Sequence, residues 1–565
     1  MIGVIEIKMR DGIILRGVSY IQNPKKKCLT LLSCDPYRNF EKSKDVKDFG
    51  TFLSCIPANY LYMDIRGTGE SDGCSKNEYS LDEKKDTNEM VQYIRRQPWS
   101  NSCVMMHGIS YSAFNAIQAT AMPNGPDSLF LMHVSNNRWR NDVHYVGGIK
   151  TIMEDMNYSF ATTGQNLLPG YRCTDSHLRK NNKPWFMKWF KQGCEKNDAW
   201  KDGVMTLPPT FVICGWRDSY SSSAVLLSNA ASYTLIGPFG HIYPNNHNIL
   251  VKKWIHHVYN EKKYLNKIKN YKGPICMIIP TPRNLWHKGY YQVKSYQNPE
   301  YKTVFDSNER FILKPDLVGE SLETYTTGDP ALIPSLEIIR NDLTRSGCGY
   351  ERAIIIHRCG VWGEPEIILT CLEYEKGDYI VARLTTQYGE TLSVGVSRIH
   401  KGTLCFKLKP FFIPVDTYIL YLFLNRSWVP VLFPTTNKKN ITFDSAQLRL
   451  PTIDDNHYVK LNVYADKSEM SLLEDVYIRN IYKKDGELMY ETSQSDGSFS
   501  EKVNVSCVLG EGTRVVVENK YYQENYKIKT ITEINTIETD LYHVTIKAYD
   551  HNKLINVWKE DCAVP

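Results

Sequence analysis

Apolar and polar residues alternate over Ile2–Lys8, the period of a strand with one face against a core. Nearly continuous apolar runs follow at CLTLLSC (28–34) and NYLYMDI (59–65), the form expected of strands covered on both faces. Helical spacing takes over from about Leu81 to Arg96, and a further strand runs from Cys103 to Met106. Strands separated by helical segments predict a mainly parallel sheet with helices on both faces.

From about 146 to 205 the strand signal gives way to short helical stretches rich in aromatic and basic residues, such as KPWFMKWFKQ (183–192). This segment reads as an insertion over the sheet. Strands resume at PTFVICGW (209–216) and SYTLIGPF (232–239), and LVKKWIHHVYN (250–260) has helical character. Beyond the lysine-rich 260–274 the texture changes to many short strands without a long helix, which predicts an antiparallel sandwich or jelly roll over 275–450. A break at LPTIDDN (450–456) leads to an all-β segment, 457–565, where Asp496-Gly497 marks a hairpin turn.

The expected architecture is therefore an α/β sheet in two parts, 1–145 and 206–268, interrupted by a helical cap at 146–205. An antiparallel sandwich or jelly roll at 275–450 and an all-β segment at 457–565 follow.

Composition narrows the class. A chain of 565 residues, 42% of them hydrophobic, is too long for one core and calls for about three or four domains. A formal charge of +6 is small for this length, and Lys25–Lys27 is the one basic cluster that stands out, so no nucleic-acid partner is expected. No apolar run approaches the roughly 18 residues of a membrane span. The 15 cysteines are scattered, without the paired C-x-x-C spacing of a zinc site, so neither metal nor cofactor is expected. With no signal-peptide pattern, a reduced cytoplasmic setting is the expectation.

The candidate chemistry lies in VMMHGISYSAF (104–114), where a strand turns through a small residue to Ser110 and leaves on a helix. Such a turn lifts a serine hydroxyl to the C-terminal edge of a sheet and aims helix amides at a developing oxyanion. The spacing departs from Gly-x-Ser-x-Gly, with Ser112 and Ala113 after the serine. Ala113, Ala116, Ala119 and Ala121 would let the helix lie close to the sheet. Asp218 follows the strand PTFVICGW and His241 follows YTLIGPF, in the chain order Ser, Asp, His of this type of site. In triad logic His241 takes the Ser110 proton and Asp218 holds the imidazole. His107, three residues before the serine, reads as packing under the turn rather than as a second base. DIRGTGESDG (64–73) is glycine-rich but lacks the Lys-Ser/Thr ending of a phosphate loop.

These pieces resemble the cocaine esterase and X-prolyl dipeptidyl-peptidase group of serine hydrolases. The matching stretches are DPYRNF (35–40), DIRGTGESDG, Glu83 with Asp86 ahead of QPWSN (97–101), GISYSA (108–113), GGI (147–149), CGWRDSY (214–220) and LIGPFGH (235–241). DPALIPSLE (329–337) and LSVGVSRI (392–399) resemble pieces of the group's jelly roll, so the likeness runs from residue 1 to about 445. It implies a nucleophile at Ser110, an acid at Asp218, a base at His241, and an oxyanion hole made by the Tyr37 hydroxyl and the Tyr111 amide. Arg66 is then expected to satisfy nearby carboxylates such as Asp86. In the group's pattern the second small residue of the turn is Ala113, which leaves Ser112 as a spacer.

Ala113 replaces the group's glycine, Phe239 its tryptophan and Arg217 its aromatic residue, and the cap matches poorly. The expected function is hydrolysis of a small ester, amide or short peptide through an acyl-enzyme, without metal or cofactor. Within 457–565, VYIRNIYKKDGELMYETSQSDGSFS (476–500) faintly resembles a transthyretin-like or carboxypeptidase-regulatory-like β-sandwich, which makes the segment an expected C-terminal β-sandwich suited to homo-oligomer or assembly contacts. The alternative is a hydrolase-fold structural or attachment component of a larger assembly, a viral particle included. Fold alone does not choose between the two.

Overall fold

The computed structural model describes residues 2–38, 58–151, 158, 166–168, 206–216, 218–237, 241, 275–286, 289–293, 299–315, 349–428, 432, 437–460 and most of 478–563. Most of the expected cap, the helix at 250–260, DPALIPSLE, Arg217 and Phe239 lie outside these residues.

The first sheet has eleven strands. Its early members are β1 (Ile2–Lys8), β2 (Ile14–Tyr20), β3 (Cys28–Asp35), β4 (Ala58–Asp64), β5 (Ser100–Ile109) and β6 (Ser128–Met132). It continues with β7 (Thr210–Gly215), β8 (Tyr233–Gly237), β9 (Ile275–Ile278) and β10 (Tyr291–Val293). The spatial order is β1-β2-β4-β3-β5-β6-β7-β8-β9-β10, and Tyr458–Lys460 adds the last edge strand. The run from β4 to β9 is parallel, while both margins are antiparallel. Every residue of β3, β6, β7 and β8 is buried, which accounts for the continuous apolar runs.

Helix α1 (Leu81–Arg95) begins at Ser80, whose side chain accepts from the Glu83 amide. Met90, Val91 and Ile94 on its inner face join the core. Helix α2 (Tyr111–Ala119) is buried along its whole length, and Ala113, Ala116 and Ala119 allow its close approach to the sheet. Ala121 lies beyond the helix and is exposed.

The second sheet is antiparallel and has nine strands. The path starts at Thr391–Arg398 and ends at Gly402–Lys407, two strands that follow each other directly in the chain. The sheet therefore curls back on itself into a nearly closed, barrel-like form around an aliphatic core that includes Leu369, Leu384, Leu422 and Leu448.

Two sequence-based boundaries are corrected. Ile275–Ile278 and Tyr291–Val293 belong to the first sheet, not to the β domain expected at 275–450, and Tyr458–Lys460 pairs with Tyr291–Val293. ICMII is a continuous apolar run suited to a doubly covered parallel strand, a feature that periodicity alone does not separate from a sandwich strand. The described strands of 478–563 form a single seven-stranded meander in chain order, where two packed sheets were expected.

The two large sheets share a core. Trp362, Phe412 and Ile453 of the second pack with Trp216 and Tyr291 of the first. Phe412 and Thr281 exchange two hydrogen bonds, N–H to Oγ1 at 2.8 Å and O from N–H at 3.0 Å. Gly147, at φ 56°, touches the second sheet so closely that a Cβ there would lie 2.5 Å from the Val396 carbonyl oxygen.

Within the second sheet Arg426 donates to Asp378 at 2.8 Å, both side chains 1% exposed. Removing one partner of a buried pair leaves the other charge unmatched, at a cost of about 3–5 kcal/mol. Asp378→Ala is expected to lower the urea midpoint accordingly; an unchanged midpoint would show that the pair does not support the sheet.

Candidate active site

The site is assembled at the C-terminal ends of adjacent parallel strands, where loops of an open α/β sheet converge. Ser110 follows β5 at φ 59° and ψ −114°. A non-glycine residue held there stores about 1–3 kcal/mol of strain, which the surroundings must sustain. They do so through neighbours on both sides. The Ser110 amide donates to the Met132 carbonyl at 3.1 Å. Ser112 Oγ accepts from the Ile109 amide at 3.1 Å and donates to the Ile109 carbonyl at 3.0 Å.

Ser112 is thus a stitch across the turn rather than a spacer. It also explains Gly108, where a Cβ would fall 2.2 Å from Ser112 Oγ. Ser110 itself remains half-exposed.

Asp218 follows β7 and is fully buried, with His241 Nδ1 2.8 Å from its Oδ2. The Tyr220 amide donates to Oδ1 at 2.7 Å, and Lys409 Nζ, from the second sheet, donates to the Asp218 backbone carbonyl at 3.2 Å. Burial alone would push this carboxyl up, but the charges of His241 and then His133 hold it well below the usual carboxylate range. His241 is one-quarter exposed, and its ring meets Tyr220 edge-on at 5.4 Å.

Sequence reasoning missed His133. It sits at the end of β6 in FLMHVSNN, is completely buried, and places Nδ1 2.6 Å from Asp218 Oδ2. The available signal was position: β6 lies between the strands that carry Ser110 and Asp218 at their ends.

Tyr37 follows β3 and its ring meets the Tyr111 ring edge-on at 6.3 Å. Burial, and then the Asp35 charge, raises its phenol well above the ordinary value, so it stays a proton donor. Next to it, Arg38 donates to the Leu168 carbonyl at 2.7 Å, tying this loop to the described part of the cap. Tyr111 opens α2, and its hydroxyl donates to Glu83 at 2.9 Å. Below the site, His107 pairs with the Tyr60 hydroxyl at 2.7 Å, and burial lowers its pKa to about 3. Arg66 donates to both Asp86 oxygens at 2.7 Å, as expected. A further buried cluster joins Arg138 to Glu78 and Asp142, with His144 against Glu78 at 3.2 Å. There burial opposes the charges of Arg138 and His144, which prevail and bring Glu78 down to about 2.

Residues 11–257 match the X-Pro dipeptidyl-peptidase (S15) family. The chain resembles the crystal structure of an aminopeptidase from a marine sediment Thaumarchaeota archaeon, with a TM-score of 0.59, 13% identity and coverage of 80% of this chain and 96% of that one. It also resembles an α-amino acid ester hydrolase, with a TM-score of 0.58, 13% identity and coverage of 80% and 96%. A CocE/NonD family hydrolase from Staphylococcus aureus gives a TM-score of 0.58 at 13% identity over 79% of this chain and 93% of that one. These likenesses establish the fold. A protein of Mycobacterium bovis provisionally named a serine esterase is 44% identical over 57 residues, which is 10% of this chain and 9% of that protein. The resemblance read from the motifs therefore stands, in the family match and in the fold.

Burial pushes the Glu83 carboxyl up to about 8, against the donors Tyr111 and Asn115. The folded state then holds a proton that the unfolded chain releases above about 4.5, so stability falls as pH rises toward 8. His107 acts oppositely, since its folded pKa is depressed, but its contribution is complete above its ordinary 6.5. Between pH 6.5 and 8 the loss is expected to appear in urea unfolding, and Glu83→Gln to flatten it. A wild-type curve already flat across that window would show that Glu83 is ionised throughout.

Proposed function

We propose that the protein is a serine hydrolase that cleaves a small ester, amide or short peptide through an acyl-enzyme. The observations that support this reading are the His241–Asp218 pair and the strained elbow at Ser110, the three residues following strands of one parallel run. Asp218 accepts from Nδ1 of His241 and keeps Nε2 as the basic nitrogen. That nitrogen removes the Ser110 proton as Oγ attacks the substrate carbonyl, then returns it to the leaving group. The Tyr111 amide and the Tyr37 hydroxyl donate to the oxyanion, and water releases the acyl group by the same route in reverse. The raised phenol pKa supports Tyr37 in this role, because an ionised oxygen could not donate. Neither step calls on a metal or cofactor.

The aminopeptidase and the α-amino acid ester hydrolase that share the fold support amide and ester substrates alike. The second sheet is read as the counterpart of the group's jelly roll, and its Lys409 contact with the Asp218 loop as its contribution to the site. The alternative role, a structural or attachment component with contacts through 457–565, draws on the C-terminal sheet alone.

A fluorophosphonate probe is expected to label the wild type at Ser110 and leave Ser110→Ala unlabelled. His241→Ala and Asp218→Asn should lower p-nitrophenyl ester turnover about 10⁴-fold. Tyr37→Phe should lower kcat about 10²–10³-fold with the fold intact by circular dichroism. Absence of labelling and turnover in the wild type would overturn the hydrolase reading.

A further inference from the structure

Beside the proposed triad lies a group of ligating atoms that the hydrolytic scheme does not use. His133, Asp218 and His241 place one ligand atom each within 4.8 Å of one another. His133 Nδ1 is 2.6 Å and His241 Nδ1 is 2.8 Å from the same oxygen, Asp218 Oδ2. The His241 contact is a hydrogen bond, but neither ring nitrogen of His133 is in hydrogen-bonding geometry with any group among the described residues, although the ring is completely buried. A carboxylate oxygen this close to Nδ1 calls for a proton on that nitrogen or for a metal ion between the two. The backbone holds the ring there at φ 47°, a conformation uncommon for a histidine.

We propose that His133, Asp218 and His241 form an inhibitory binding site for a divalent transition-metal ion of the zinc type. Two imidazoles and one carboxylate make a three-ligand set suited to Zn²⁺, with the fourth position left to water. Bonds of about 2.0–2.2 Å to nitrogen and oxygen require ligand atoms roughly 3.3 Å apart. Ring rotations that open the two short contacts would bring the ligand atoms toward that spacing. Entry is from the side of His241, which is one-quarter exposed.

The consequence for catalysis follows from the tautomer. A metal on Nδ1 of His241 needs that lone pair, so the Nδ1 proton moves to Nε2 and no proton is lost. Nε2–H has no lone pair left to accept the Ser110 proton, and the nucleophile stays unactivated. His133 binds through Nδ1 as its Nε2–H tautomer. The inhibitory consequence rests on the triad proposed above, while metal binding itself does not.

The full-length protein, stripped with EDTA and dialysed, is titrated with ZnCl₂ in a calorimeter, and fluorophosphonate labelling is followed in parallel. The expected result is one tight Zn²⁺ per chain and a labelling rate lowered at least tenfold, restored by EDTA and unaffected by Ca²⁺, which prefers oxygen ligands. His133→Ala should lose the bound equivalent and the sensitivity of labelling to Zn²⁺. His241→Ala, at a more exposed position, should lose the equivalent even if His133→Ala fails to fold, whereas the same change at His357, an exposed histidine of the second sheet, should leave it in place. Absence of Zn²⁺ binding by the wild type, or an equivalent retained in both His133→Ala and His241→Ala, would overturn the site. Zn²⁺ bound through His133 in a protein that never labels would leave the site standing and remove the hydrolase reading instead.

Discussion

A carboxylate sealed from water must be matched by charge and by donors, and the arrangement around Asp218 is built on that requirement. An unmatched charge at such a depth costs several kcal/mol even after relaxation. Asp218 meets it with the amide of Tyr220 on one oxygen and two histidines on the other. Each of these partners comes from a different strand end, so satisfying one carboxylate fixes the relative positions of β6, β7 and β8. Lys409 extends the same dependence to the second sheet by holding the backbone of the acid's loop.

The elbow shows how a strained conformation is kept. Ser110 has no side-chain cap to help it, and its helix carries no acidic residue in the first turn. What holds it is hydrogen bonding and packing: the Met132 carbonyl takes its amide, Ser112 folds back on Ile109, Gly108 leaves room for that hydroxyl, and α2 is buried along its length. The sequence departs from Gly-x-Ser-x-Gly at the position where it gains a hydroxyl that binds the turn together. The departure is a substitution of one stabilising device for another.

Much of this is legible in the sequence. The strand ends carrying Ser110, Asp218 and His241 and the packing role of His107 follow from local signals, namely apolar runs, small residues and the order of polar residues after strands, while the pairing of Arg66 with Asp86 follows from the family resemblance. Three features are not legible there, each for a physical reason. His133 is joined to Asp218 by proximity of strands 85 residues apart in sequence, and a lone histidine after an apolar run carries no mark of its partner. ICMII could serve in either sheet, since a doubly buried strand and a sandwich strand share their composition. For the 478–563 meander the sandwich expectation rests on a faint resemblance, since alternation records that one face is covered without recording what covers it.

The path of the chain at the margin of the first sheet bears on how the large parts of the molecule move. It leaves that sheet at Tyr291–Val293, builds the whole second sheet between Glu300 and Ile453, and returns as Tyr458–Lys460 to pair with the strand it left. The second sheet is therefore a loop in the topological sense, clamped at both its entrance and its exit by a single strand pair. A body hung from one linker can swivel about it, but a body held by two adjacent attachments retains at most a rocking motion about the line joining them. Shear between the sheets would also have to stretch the Lys409 contact with the Asp218 backbone, a third tie between the two.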